Sequence, residues 1–209
     1  MKNYFRKSLF IAALLSMGMI FGQTIDPKSK TILDDLTNNY KSKKNSYFKF
    51  TYTSGSSTQT GIFYSDNAKY RLKIMGTEQL FDGSKIYNIN EDDKEITIAK
   101  PSENQVAFSP LSYLDSYKKD YNVRYAGKKV LNGIPVDVIK MTPAKPNGLK
   151  QVMLYVNRPQ KKLVKIEQVS KNDGLAVIKI MNYKENQNLP TSLFTFDKSK
   201  YQNYLITEL

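Results

Sequence analysis

Histidine, cysteine and tryptophan are all absent from this chain of 209 residues, while tyrosine occurs 15 times and phenylalanine 10 times. Without imidazole or thiolate there is no Ser-His-Asp triad, no cysteine nucleophile and no ordinary zinc site, so most hydrolase and metal chemistries lose their central residue. The lack of cysteine also excludes a disulfide and a lipid-modified cysteine. Stability therefore has to come from burial. Long hydrophobic runs are scarce too. The one that exists, Leu9 to Phe21, follows Lys2, Arg6 and Lys7 and gives way to Gly22-Gln23-Thr24. It falls short of the roughly 20 apolar residues that a membrane-spanning helix needs. A charged start, a short apolar run and a small-residue boundary form the pattern of an export signal. The expected division is a signal peptide over 1–22 and one domain over 23–209, in the periplasm.

The remaining stretch is long enough to bury roughly 70% of the surface that its unfolded chain exposes. It shows no linker, low-complexity tract or internal repeat. The formal charge is +13, and removing Lys2, Arg6 and Lys7 leaves +10. The cations are dispersed along the chain, as at Lys49, Lys69, Arg71, Lys73, Lys140, Lys150 and Lys165. Dispersion argues against nucleic acid as a partner. It leaves a solvated basic surface, or docking to an anionic lipid surface or an acidic partner.

Asp26-Pro27 reads as a helix cap followed by a first-turn proline, and Ile32, Leu33, Leu36 and Tyr40 recur at helical spacing. The period then switches to two, with Phe48, Phe50 and Tyr52 on one face and Tyr47, Lys49 and Thr51 on the other. Further strands are expected around Gly61 to Tyr64, Tyr70 to Ile74, Gln79 to Phe81, Ile86 to Ile89 and Ile96 to Ile98, with a turn at Asp82-Gly83. Phe108 to Tyr117 reads as a short helix capped by Ser109 with Pro110 in its first turn. Strands resume at Val123, Val136, Val152, Leu163 and Val177, with Asn132-Gly133 and Asp173-Gly174 as hairpin turns. Leu193, Phe194 and Phe196 precede a polar tail. About 10–11 short strands in sequential hairpins imply a mainly β fold, an antiparallel sheet curled toward a barrel. The two helices cover one face, over either an apolar cavity or a dry core.

The ordered set of Gly61-Ile62-Phe63-Tyr64, Lys69-Tyr70-Arg71-Leu72, Phe81-Asp82-Gly83-Ser84-Lys85-Ile86-Tyr87, Thr142-Pro143, Leu149 to Val156 and Leu193-Phe194-Thr195-Phe196 resembles LolA, the family of periplasmic carriers of outer-membrane lipoproteins. The resemblance implies an incomplete antiparallel β-barrel with a helical lid over an apolar cavity for acyl chains. It implies no cofactor and no enzymatic activity. The implied partners are acylated lipoproteins, an inner-membrane lipoprotein-releasing transporter, and an outer-membrane acceptor or anionic lipid surface, met by a monomer. The cavity lining would comprise Phe48, Phe50 and Tyr52, Ile62 and Tyr64, Tyr70, Leu72 and Ile74, and Ile96 and Ile98. The lid would use Ile32, Leu33, Leu36, Leu111 and Leu114. Tyr70 is the foremost candidate for cargo contact or handover. One departure stands out: Asp66 occupies the place of the arginine thought to latch the family's lid, so no arginine latch is carried over, and Arg71 is of opposite strand parity.

Two other readings stay open. One is an enzyme built on paired carboxylates, as in glycoside hydrolysis, drawn from Asp82, Glu91, Asp92, Asp93, Asp137 and Glu167. Most of these sit in turns, where Asp is expected for backbone reasons. The other keeps the fold but makes the protein an envelope lipid-sensing or interaction module without transfer activity.

Overall fold

The computed structural model describes residues 23–101 and 111–209. The expected signal peptide 1–22 and the Phe108-Ser109-Pro110 segment lie outside the described residues. Helix α1 (Pro27–Lys41) begins as the sequence predicts: the Asp26 carboxylate accepts from the Ser29 backbone N–H at 2.8 Å, and Pro27 occupies the first turn. The strands are β1 (Asn45–Ser54), β2 (Ser57–Asp66), β3 (Lys69–Ile74), β4 (Thr77–Phe81), β5 (Ile86–Asn90) and β6 (Glu95–Ala99). Helix α2 (Ser112–Asp120) then leads to β7 (Tyr121–Leu131), β8 (Ile134–Pro143), β9 (Leu149–Asn157), β10 (Lys162–Ser170), β11 (Leu175–Glu185) and β12 (Leu205–Glu208).

All twelve strands form one sheet in the order β12-β6-β5-β4-β3-β2-β1-β11-β10-β9-β8-β7. It consists of two antiparallel meanders, β1–β6 and β7–β11, joined where β1 pairs with β11. The outermost strands β12 and β7 are not neighbours, so the sheet is open, as expected of an incomplete barrel. The twelfth strand goes beyond the expected count. It comes from the tail read as polar, where Leu205 to Glu208 pair in parallel with Glu95 to Ile98. Four residues are too few to show a period, and a strand added to an existing edge needs no turn signal of its own.

Both helices lie on one side, the inner face. Ile32, Leu33 and Leu36 of α1 and Tyr113, Leu114 and Tyr117 of α2 share a core with Phe48, Phe50, Phe63, Leu72, Ile139, Leu154 and Ile178. Burial of these side chains supplies most of the driving force for folding, at roughly 25 cal/mol per Å² of apolar surface. Gly61 opposes Phe50 across the β1–β2 ladder, and a Cβ there would come within 2.3 Å of the Phe50 ring. The glycine thus makes room for the aromatic ring.

Directly paired residues share a face, so the turns decide which residues point inward. Ser54 pairs with Ser57 around Gly55-Ser56, which sets Phe48 opposite Phe63, and Phe63 in turn faces Leu72. Ile62 and Tyr64, expected inside, therefore project outward beside Lys49 and Tyr47, Lys73 and Arg71. Ile96 and Ile98 likewise face Ile89 and Tyr87, on the outer side with Leu80. This outer face is not bare. Leu80, Tyr87, Ile89 and Ile96 form a second core with Phe196, Tyr201, Tyr204 and Ile206 from the C-terminal arm. Phe196 stacks on Tyr87 at 4.4 Å and on Tyr201 at 5.3 Å. Arg71 holds the arm's entry, donating to the Leu193 carbonyl at 3.1 Å and pairing with Glu78 at 2.6 Å.

The outer face of β3–β6 is thus buried beneath the C-terminal arm, and truncating its outer side chains should be as damaging as truncating a conventional core. Leu80→Ala and Ile96→Ala are each expected to cost about 3 kcal/mol. Urea denaturation measures this, and a loss below about 0.5 kcal/mol, typical of surface positions, would contradict the burial of that face.

Candidate functional site

Between the inner sheet face and the two helices lies a cavity of about 510 Å³. Its apolar floor comprises Phe63, Tyr70, Phe81 and Ile86, facing Leu111 and Leu114 at the start of α2 and Tyr40 of α1. The rings form a row, with Tyr70 6.1 Å from Phe63 and 5.6 Å from Phe81. The Tyr70 hydroxyl donates to Gln79 Oε1 at 2.9 Å, and Gln79 Nε2 donates to Asn88 Oδ1 at 2.6 Å. Burial pushes the Tyr70 hydroxyl up to about 12, so it stays neutral at pH 7. Lys41, Lys43, Lys44, Lys69 and Asp115 surround the opening.

The expected site residues divide into three groups. Tyr70, Leu111 and Leu114 line the cavity. Phe48, Phe50, Leu72, Ile32, Leu33 and Leu36 point to the same side but are closed into the core, with Tyr52 and Ile74 packed partly buried against it. Ile62, Tyr64, Ile96 and Ile98 are on the other face of the sheet. Phe63, Phe81 and Ile86 were not among the expected lining residues. The signal for Phe63 is the two-residue Gly55-Ser56 turn, which reverses strand parity. Phe81 and Ile86 are directly paired across the Asp82–Lys85 loop and inherit the face of Tyr70.

Polar ties hold the helices over the sheet. The β9–β10 ladder slips a register between Leu163 and Lys165, and the Leu163 N–H donates to the Tyr40 hydroxyl of α1 at 2.9 Å. Gln168 of β10 donates to the Tyr113 hydroxyl of α2. The helices are clasped to each other at Asp34, whose carboxylate receives the Tyr117 hydroxyl and the Lys118 and Lys30 ammonium groups, each at 2.6 Å. Partial burial opposes the charge on Asp34, but the hydrogen bonds from Lys118, Lys30 and Tyr117 outweigh it and hold the carboxyl well below the usual range. Nearer the cavity, Lys41 of α1 pairs with Asp115 of α2 at 2.9 Å.

Each carboxylate considered for catalysis is engaged in a local contact. Asp82 caps its own loop through the Ser84 and Lys85 N–H groups, Glu91 pairs with Lys73, and Asp92 lies against Gly76. Asp93 accepts from Asn90, Asp137 accepts from the Tyr125 hydroxyl, and Glu167 receives Lys165 and the Tyr155 hydroxyl. Among the described residues there is no group of three or more metal-capable side chains, and no helix is long and apolar enough to cross a membrane.

Residues 77–197 match the family model described as outer membrane lipoprotein carrier protein LolA. No curated protein matches the sequence. Among solved structures, an uncharacterized conserved protein from Thermus thermophilus superposes with a TM-score of 0.64 at 10% identity, covering 87% of this chain and 99% of that one. That likeness shows the fold. LprF from Mycobacterium bovis is similar at 14% identity and a TM-score of 0.47, covering 80% of this chain and 98% of that one. A LolA superfamily protein from Nitrosomonas europaea is similar at 13% identity and a TM-score of 0.40, covering 80% and 97% respectively.

The clasp has a defined pH dependence. Because the Asp34 carboxyl is depressed in the folded protein, its contribution is complete above the unfolded value of about 3.9 and disappears as pH falls through the folded value. Asp34→Ala should cost about 1 to 2 kcal/mol at pH 7. In urea denaturation at descending pH, the gap between the two proteins should narrow below about pH 4.

Proposed function

The chain belongs to the family of the outer membrane lipoprotein carrier protein LolA, and from that premise we propose that it is a periplasmic carrier of acylated lipoproteins. It receives them from an inner-membrane releasing transporter and yields them to an outer-membrane acceptor or anionic lipid surface. The observation that carries this reading is the aromatic-floored cavity beneath two helices tied down by a few polar contacts. The need for such a cavity is physical. Keeping one 16-carbon chain in water costs about 12 kcal/mol, at about 0.8 kcal/mol per methylene, so an acylated protein does not cross an aqueous gap unaided. The absence of His and Cys suits a container that must leave its cargo unaltered.

Size sets the working cycle. The cavity of about 510 Å³ is on the scale of an acyl chain rather than of a whole multiply acylated anchor. A cargo with several chains enters only if α1 and α2 part, giving up the Asp34 clasp and the Lys41–Asp115 pair. The closed state is then the empty or lightly loaded one, and opening offsets part of the chain-burial energy, which keeps release feasible. Tyr70 lies at the centre of the floor, where cargo first meets aromatic surface.

A release assay tests the proposal. Protein lacking residues 1–22 is added to spheroplasts whose lipoproteins carry labelled acyl chains, and the soluble fraction is examined for a one-to-one complex. Release is expected, and Phe81→Asp, which puts an unpaired carboxylate in the apolar floor, should reduce it at least about tenfold while circular dichroism stays unchanged. No release by the folded parent protein beside a working positive control would overturn the carrier reading.

A further inference from the structure

Cations that are scattered along the sequence are gathered by the sheet. Directly paired residues share a face, and the ladders place Lys49, Arg124, Lys140, Lys165, Lys179 and Lys184 on the outer side, away from the helices. The C-terminal arm covers β3–β6 on this side, whereas all of these cations except Lys165 are exposed. Among the described residues, the one acid that projects outward from β1 and β7–β11 is Glu167, and it is taken up by Lys165 at 2.7 Å and the Tyr155 hydroxyl. No described carboxylate lies within salt-bridge distance of the other five cations. The acids toward β3 are matched by cations of their own: Glu78 by Arg71, Glu91 by Lys73, and Asp66 by Lys69 opposite it in the ladder.

Two of these cation pairs are directly opposed across a ladder, Arg124 with Lys140 and Lys165 with Lys179. Like charges in that position destabilise a sheet, so the fold alone gives no reason for them, whereas an anionic partner would relieve both. Exposed apolar side chains stand in the same strands. Leu175, 51% exposed, shares the face through its pairing with Val169, and Met181, 62% exposed, is the residue that the β1–β11 ladder skips. Basic groups interspersed with exposed apolar ones match the interface of a bilayer, where anionic headgroups lie over hydrocarbon. We propose that the basic outer face of β7–β11 and β1 docks on an anionic lipid bilayer. This deepens the carrier reading by naming the face that meets a membrane. It leaves α1, α2 and the cavity, which lie on the other side of the sheet, free to open. Each cation held near such a surface strengthens binding about fivefold, and the attraction fades as salt screens it.

Sedimentation with phospholipid vesicles tests this, using protein without residues 1–22 so that the apolar run Leu9 to Phe21 does not itself enter lipid; every described helix and strand lies beyond that segment. The vesicles are phosphatidylcholine alone or a three-to-one mixture of phosphatidylcholine with phosphatidylglycerol. The protein should bind the anionic vesicles at least about tenfold more tightly than the neutral ones, and the preference should shrink between about 100 and about 500 mM salt. The double variant K140E/K179E should lose at least about tenfold in affinity for the anionic vesicles. Both of its substitutions set opposite charges across a ladder, so it should unfold at no lower urea concentration than the parent. The variant K44E/K119E has the same net charge but is altered on the helix side, and it should bind as the parent does. Equal losses in the two variants, or no preference for anionic vesicles, overturn the docking face. Binding to poly-L-glutamate in place of the vesicles overturns it too and assigns the face to an acidic polypeptide. Sedimentation requires no cargo, so a negative result here leaves the carrier reading standing, and failure of lipoprotein release from spheroplasts leaves the docking face standing.

Discussion

The pairing of β1 with β11 is the contact on which the architecture depends. Residues 46–54 meet residues 176–185 there, across most of the chain length, and without that ladder the two meanders would be separate sheets. The join also builds the support for the lid. Phe48 of β1 and Tyr183 of β11 come within 4.8 Å across it, and Tyr40 of α1 packs against both, at 5.7 Å and 5.3 Å. The end of helix α1 is therefore seated on the seam, while its start is tied to β7, where the Asp26 N–H donates to the Val123 carbonyl at 2.9 Å.

The inner face of β3–β6 is chemically divided. Tyr70, Phe81, Ile86 and Ala99 make one end apolar, whereas the next rows run Leu72, Gln79, Asn88 and Thr97, then Ile74, Thr77, Asn90 and Glu95. The Tyr70–Gln79–Asn88 hydrogen-bond chain marks the boundary. Apolar chains consequently find one end of this half-sheet and polar groups the other, without any element having to move.

Much of this was legible beforehand. The α1 boundary was readable because Asp26 and Pro27 act through local geometry, and most strands because each alternates against a buried face. The helices' position on one side followed from their amphipathic patterns. What could not be read was the face assignment of β2 and β6, because alternation shows that a strand has two sides but not which is inside. At β2 each face carries an aromatic ring, Tyr64 beside the expected Ile62 on one and Phe63 beside Gly61 on the other, and only the tight Gly55-Ser56 turn distinguishes them. At β6 the apolar set Ile96 and Ile98 does face a core, but a different one, built by Phe196, Tyr201, Tyr204 and Ile206 from a tail that looked polar. Long-range partners of that kind leave no mark in a local window.

The C-terminal arm also bears on how the molecule is made. Its aromatic residues follow both meanders in the chain, so Leu80, Tyr87, Ile89 and Ile96 stay exposed during synthesis until residues 196–206 are in place. The β1–β11 ladder waits nearly as long. Non-local pairings of this kind fold slowly and leave strand edges and apolar surface open meanwhile. Chains interrupted before residue 196 would thus present a sticky half-sheet with both meanders unjoined or uncovered, so quality control acting on this protein has an unmistakable mark of incompleteness to read.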